Sequence, residues 1–137
     1  MSELREWIKK YNKKAPEPFE RDKRYELFFR PDKGFCEIAS NGKMLIINQM
    51  CGDIKYWRNA IEQVCRAMKL QVIGTYCIRN IIPYLKLTGF SVSGVQETED
   101  GLRYFCEDFE TGQRGTASPA WIMPNGKRAY YLTFEVT

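Results

Sequence analysis

Residues 43–76 constrain this chain most. Lys43-Met44-Leu45-Ile46-Ile47-Asn48-Gln49 reads as an apolar strand, and Gly52-Asp53 breaks it. From there to Lys69, Ile54, Trp57, Ile61, Val64, Cys65 and Met68 hold one helical face, while Lys55, Arg58, Glu62, Arg66 and Lys69 hold the other. A second strand-like run follows at 71–76. A helix with that pattern must lie on a sheet, and because it joins two apolar strands they are expected to be parallel neighbours linked by a right-handed crossover. A strand that passes through glycine and an acidic cap into a helix is also the unit by which α/β proteins offer backbone N–H groups to an anionic cofactor. Its loop here carries one glycine, fewer than a dedicated phosphate cradle uses.

The flanking segments complete the order. Leu4, Trp7, Ile8 and Tyr11 recur at helical spacing, so residues 3–12 read as a short amphipathic helix. Residues 25–29 and 35–39 are strand-like, and the turns Arg30-Pro31-Asp32-Lys33-Gly34 and Ser40-Asn41-Gly42 connect them and the 43–49 strand into an antiparallel meander. Pro83 is harmless only in a first helical turn, which puts the next helix start near Asn80, a good N-cap, and Gly89 stops that helix. Three strand-like runs, 90–96, 102–109 and 128–136, close the chain. In the last, alternation puts Tyr130, Leu132, Phe134 and Val136 on the core face and Tyr131, Thr133 and Glu135 outward. The expected class is α/β (α+β), a mixed central sheet in the order α-βββ-α-β-α-βββ. Residues 1–137 form a single domain in this reading, with 1–24 a basic helix and linker.

Composition removes several chemistries. With no histidine, Ser-His-Asp and Cys-His nucleophile systems and most catalytic zinc sites are excluded, leaving carboxylates, tyrosine, thiol, lysine or water to move protons. Cys36, Cys51, Cys65, Cys77 and Cys106 are widely spaced without a Cys-x-x-Cys, and read as reduced, buried thiols. No apolar run is long enough to span a bilayer, and the first residues lack the pattern of a signal peptide, so no membrane role and a cytoplasmic location are expected. Basic residues crowd the first 24 positions, as a solvated helix face and linker or as an arm towards nucleic acid.

This order, with Arg79-Asn80 leading through Tyr84-Leu85-Lys86-Leu87-Thr88 into Gly89-Phe90, resembles the GNAT-type N-acetyltransferases over roughly residues 25–109. Arg30-Pro31-Asp32-Lys33-Gly34-Phe35 and Ala117-Ser118-Pro119-Ala120 are also similar to stretches of small acetyltransferase-like proteins of phages and prophages. The resemblance implies a splayed loop that receives the pyrophosphate of acetyl-CoA, with Ile47, Gln49, Cys51, Gly52, Asp53 and Asn80 as the cofactor-binding candidates. The family's loop reads Gln/Arg-x-x-Gly-x-Gly/Ala. This chain keeps Gln49 and Gly52 but has Ile54 at the second small position, and Asp53 brings negative charge or serves as an ordinary N-cap.

The family's acid is a tyrosine four residues before Gly-Phe. That position is Leu85, and Tyr84 stands one residue earlier, about 100° round the helix. Tyr84 is therefore the candidate general acid or a half-buried aromatic. Glu37, which points away from Cys36 and Ile38, is the candidate general base or a solvent-facing glutamate. Cys51 sits near a helix N-terminus, a setting that lowers a thiol pKa, or is inert.

Two functions follow. One is a GNAT-like, phage-type binding or accessory protein, non-catalytic or weakly active. The alternative is an acyl-CoA-dependent N-acyltransferase whose amine substrate enters beside Glu37 and Tyr84. If the last strand lies at a sheet edge, its outward Tyr131 and the nearby Trp121 offer a surface for a protein partner or self-association, unless Trp121 packs into the core.

Overall fold

A computed structural model describes residues 2–15 and 17–136. The chain runs α1 (Ser2–Lys14), β1 (Glu26–Arg30), β2 (Gly34–Ser40), β3 (Leu45–Gly52), α2 (Ile54–Ala67), β4 (Val72–Cys77) and α3 (Ile81–Leu87). It closes with β5 (Ser91–Thr98), β6 (Gly101–Asp108), β7 (Gln113–Ile122) and β8 (Arg128–Glu135). One eight-stranded mixed sheet results, in the order β1-β2-β3-β4-β8-β7-β6-β5. The β3–β4 pair is parallel across the α2 crossover, and every other pair is antiparallel. Among the described residues no helix is long and apolar enough to cross a membrane.

Four strands follow α3, where the sequence pattern indicates three. The additional one, β7, holds Gly115 and Pro119, residues that disfavour a strand interior. Pairing of β6 with β7 ends at Tyr104 and Ala117, so Pro119 lies where its missing N–H has no β6 partner to disappoint. A second correction concerns β8. It lies between β4 and β7, not at an edge, with its ladders to both neighbours filled. Its core face is the expected one: Leu132, Phe134 and Val136 are buried, and Tyr130 packs against the core.

Alternation in β2 separates the faces of the sheet. Cys36 and Ile38 join Leu45, Ile47 and Ile73 beneath Trp57, Ile61 and Cys65 of α2 and Leu85 of α3 in one apolar core. Phe35 points the other way, 5.7 Å from the ring of Tyr11 in α1. Arg58, read as a solvent-face residue of α2, is instead enclosed. It pairs with Asp108 at 2.9 Å, donates to Thr88 O at 2.6 Å and lies 4.4 Å from the Phe90 ring centroid, tying α2 to the β5–β6 half.

Candidate functional site

The site is a parting of strands. β3 and β4 pair only through Leu45–Ile73, Ile46–Gly74 and Ile47–Thr75, and the Thr75 hydroxyl donates to Ile47 O at 3.1 Å where the pairing ends. Beyond that point β3 follows β2 and β4 follows β8. A β-bulge drives them apart. Cys36 faces Met50 and Ile38 faces Ile47, which leaves Asn48 and Gln49 together opposite Glu37 and bends β3. The opening is a cleft of about 580 Å³, lined among others by Ile47, Gln49, Ile54, Tyr76, Arg79 and Tyr84.

The bulge decides what Glu37 does. Successive side chains of a strand normally face opposite ways, but here both Asn48 and Gln49 reach the same carboxylate, with Nδ2 and Nε2 donating to Oε1 at 3.1 and 2.7 Å. Its Oε2 accepts from Arg21 Nη1 at 2.7 Å and from Asp22 N at 3.1 Å. Glu37 is 0% exposed, so the solvent-facing reading is corrected. Four donors occupy the carboxylate, and it lines no part of the cleft directly. Gln49 also clasps the backbone of Glu20, donating to its carbonyl at 2.6 Å and accepting from its N–H at 3.1 Å. The network therefore fastens residues 20–22 to the sheet as one wall of the cleft.

The start of α2 is closed by its own chain. Instead of splaying as a loop, residues 50–52 remain paired with β2. Gly52 has φ +116°, and a Cβ there would stand 2.0 Å from Lys33 O, so this glycine serves the close approach of β2 and β3 rather than approach to a phosphate. Asp53 N donates to Lys33 O at 2.9 Å, and Trp57 Nε1 reaches the same carbonyl at 2.8 Å. The Asp53 carboxylate accepts from Tyr56 N at 3.0 Å and pairs with Lys33 at 3.4 Å; that amide bond, then Lys33, holds its pKa below the usual aspartate value. Asp53 is thus the N-cap: its carboxylate takes Tyr56 N, Lys33 O takes Asp53 N, and a negative charge stands where a pyrophosphate would approach. These residues do not fit the diphosphate of acetyl-CoA.

No protein-family model matches the chain, and no curated protein matches it in sequence. Among solved structures, the crystal structure of Ard1 from Thermoplasma volcanium, a GNAT-type protein, is similar with a TM-score of 0.54. The likeness covers 99% of this chain and 93% of that one at 11% identity. The fold is GNAT-like. At that identity the likeness concerns the fold alone.

Within the GNAT-like frame the candidate residues fall into separate places. Ile47, Gln49 and Tyr84 line the cleft, whereas Cys51, Gly52 and Asp53 do not. Leu85 is fully buried in the core, so α3 turns the neighbouring Tyr84 to the cleft; burial raises its phenol well above the ordinary tyrosine value. Such a phenol stays protonated at neutral pH. Cys51 lies on the α1 side, 3.7 Å from Trp7 O, and burial raises its pKa against the opposing pull of Arg79, Lys14 and Lys10. The lowered pKa expected of a thiol beside a helix N-terminus is absent there. Asn80 precedes α3 as expected, but its side chain makes no cap hydrogen bond and lines a neighbouring pocket with Arg79.

Sequence reasoning did not name Arg79 or Tyr76 as site residues: Arg79 entered only as part of the stretch that carries the resemblance, and Tyr76 as the end of a strand-like run. Their signal was position: both follow Thr75, the last residue of β4 paired with β3, where a parallel strand in an α/β sheet delivers side chains to a crevice.

Proposed function

We propose that this chain is a GNAT-like binding or accessory protein, non-catalytic or at most weakly active in acyl transfer. One observation carries the reading: at the start of α2 the Asp53 carboxylate caps Tyr56 N and Lys33 O takes Asp53 N, so an acyl-CoA diphosphate would meet a negative charge and engaged donors. Because this kind of catalysis is chiefly the positioning of two substrates, a cofactor that cannot be seated forfeits most of the acceleration. The engaged carboxylate of Glu37 points the same way, since a general base needs an oxygen open to the substrate proton. The similarity of residues 30–35 and 117–120 to phage and prophage proteins suggests the setting in which such an accessory acts.

The alternative, an acyl-CoA-dependent N-acyltransferase acting on an amine, is favoured by Tyr84, whose protonated phenol stands in the cleft wall. Calorimetric titration with acetyl-CoA separates the two. The expected result is no binding tighter than about 1 mM, less than roughly 4 kcal/mol of association free energy. A micromolar dissociation constant would restore the enzyme.

A further inference from the structure

Two surfaces meet at Arg79. The first is a pocket of about 350 Å³ adjoining the cleft. Lys14 at the end of α1, Arg79 after β4 and Lys127 in the turn between β7 and β8 all line it. No carboxylate does, and none of the three cations has an ion pair among the described residues. Three like charges brought to one space from three separate elements repel one another, and that arrangement favours a bound anion. The carboxylates nearby, Glu17, Glu20 and Asp22, line the larger cleft and not this pocket.

The second surface is aromatic. Tyr76 is 52% exposed and Trp121 45%, with ring centroids 5.1 Å apart. Tyr131 stands 4.7 Å from Tyr76, and its hydroxyl is held against Met44 Sδ at 3.0 Å. The alternative in which Trp121 packs into the core is therefore not found. Helix α1 packs on β2 and β3 and leaves these rings open on the same side of the sheet. Tyr76 and Trp121 line the cleft, while Ile78, Arg79 and Tyr84 line both cleft and pocket, so the two surfaces are continuous.

We infer that this surface binds a nucleotide unit, free or within a single strand, with phosphate among Lys14, Arg79 and Lys127 and the base against Tyr76 and Trp121. Exposed rings on a sheet accept any base through its π-face, and neighbouring cations track the backbone. Charge selects this occupant over an apolar protein segment, which would leave three cations without a counter-charge. The inference rests on the binding-protein reading and names its ligand class; the start of α2 takes no part in it.

The test uses the full chain with a fluorescent oligothymidylate of about 12 nucleotides and, separately, thymidine monophosphate, starting near 50 mM salt. Anisotropy should report oligonucleotide binding whose log–log salt slope is about −2, the value for roughly three phosphates on a single strand. Lys14→Glu combined with Lys127→Glu should flatten that slope and weaken binding at least about tenfold. Trp121→Ala should weaken it about tenfold at unchanged slope. Circular dichroism establishes that each variant is folded. Monophosphate that quenches tryptophan fluorescence as tightly as the oligomer binds identifies a free nucleotide, and binding of the oligomer alone identifies a single strand. The inference is overturned if neither probe binds folded wild type, if folded variants bind as wild type does, or if sedimentation shows a dimer that Trp121→Ala dissolves. Acetyl-CoA binding in the separate calorimetric experiment would defeat the binding-protein reading without producing any of these oligonucleotide results.

Discussion

The two lips of the cleft are built from the same material and end in opposite states. On the β3 side, backbone amides, a glycine and a helix start converge where an anion would be drawn, yet the Asp53 carboxylate caps Tyr56 N, Lys33 O takes Asp53 N and Gly52 is pressed against β2. On the β4 side there is no glycine motif, but Arg79 enters the cleft with no ion pair among the described residues, beside Lys14 and Lys127. Affinity for an anion thus depends on which donors local hydrogen bonding leaves over, not on which segment carries the motif.

The sharpest way to break this contrast is to open the closed lip. Glu37→Ala strands Arg21, Asn48, Gln49 and the Asp22 amide around an empty site. Removing one member of a buried charge network costs about 3 kcal/mol, and urea unfolding should show it, with Glu37→Gln less affected because it keeps the shape and an acceptor. If Glu37→Ala proves as stable as wild type, the carboxylate does not hold the 20–22 wall and is available for other work. Gly52→Ala comes next. Its Cβ would overlap Lys33 O at 2.0 Å in a backbone conformation that L-residues avoid, so the strands must separate at a cost of about 2 kcal/mol. Equal stability in that variant would mean that β3 can leave β2 here and form the splayed loop after all.

Much of this fold is legible in the sequence because long periodic segments leave little choice. Trp57, Ile61 and Cys65 fix the buried face of α2, and the parallel β3–β4 crossover follows from it. Strand β7 is hidden because Gly115, Ser118 and Pro119 have low strand propensity, and its place between β6 and β8 overrides that preference. The site is harder to read. A Gln-x-x-Gly spacing does not disclose that β3 has a bulge, and the bulge alone brings Asn48 and Gln49 to one carboxylate. Nor does spacing reveal that Lys14, Arg79 and Lys127, more than a hundred positions apart at the extremes, share one pocket. That convergence is purely tertiary.

The smallest effect discriminates best. Asp53→Ala removes the cap of α2 and its pairing with Lys33, lowering stability by less than either change above because the carboxylate is exposed. The sign with pH follows from its depressed pKa in the folded chain. A group held below its unfolded value near 3.9 stabilises fully above that value and loses its contribution as pH falls through the folded one. The difference between wild type and Asp53→Ala should therefore be constant at neutral pH and shrink below about pH 4. A difference that stays flat through that range would show that the charged cap contributes nothing. Acetyl-CoA binding in the same variant completes the comparison. With Tyr56 N released, Asp53's own backbone position still donates to Lys33 O and Gly52 still abuts β2, so no binding should appear. If micromolar binding does appear, one carboxylate accounts for the closed lip, and the contrast between the two sides of the cleft reduces to a single residue.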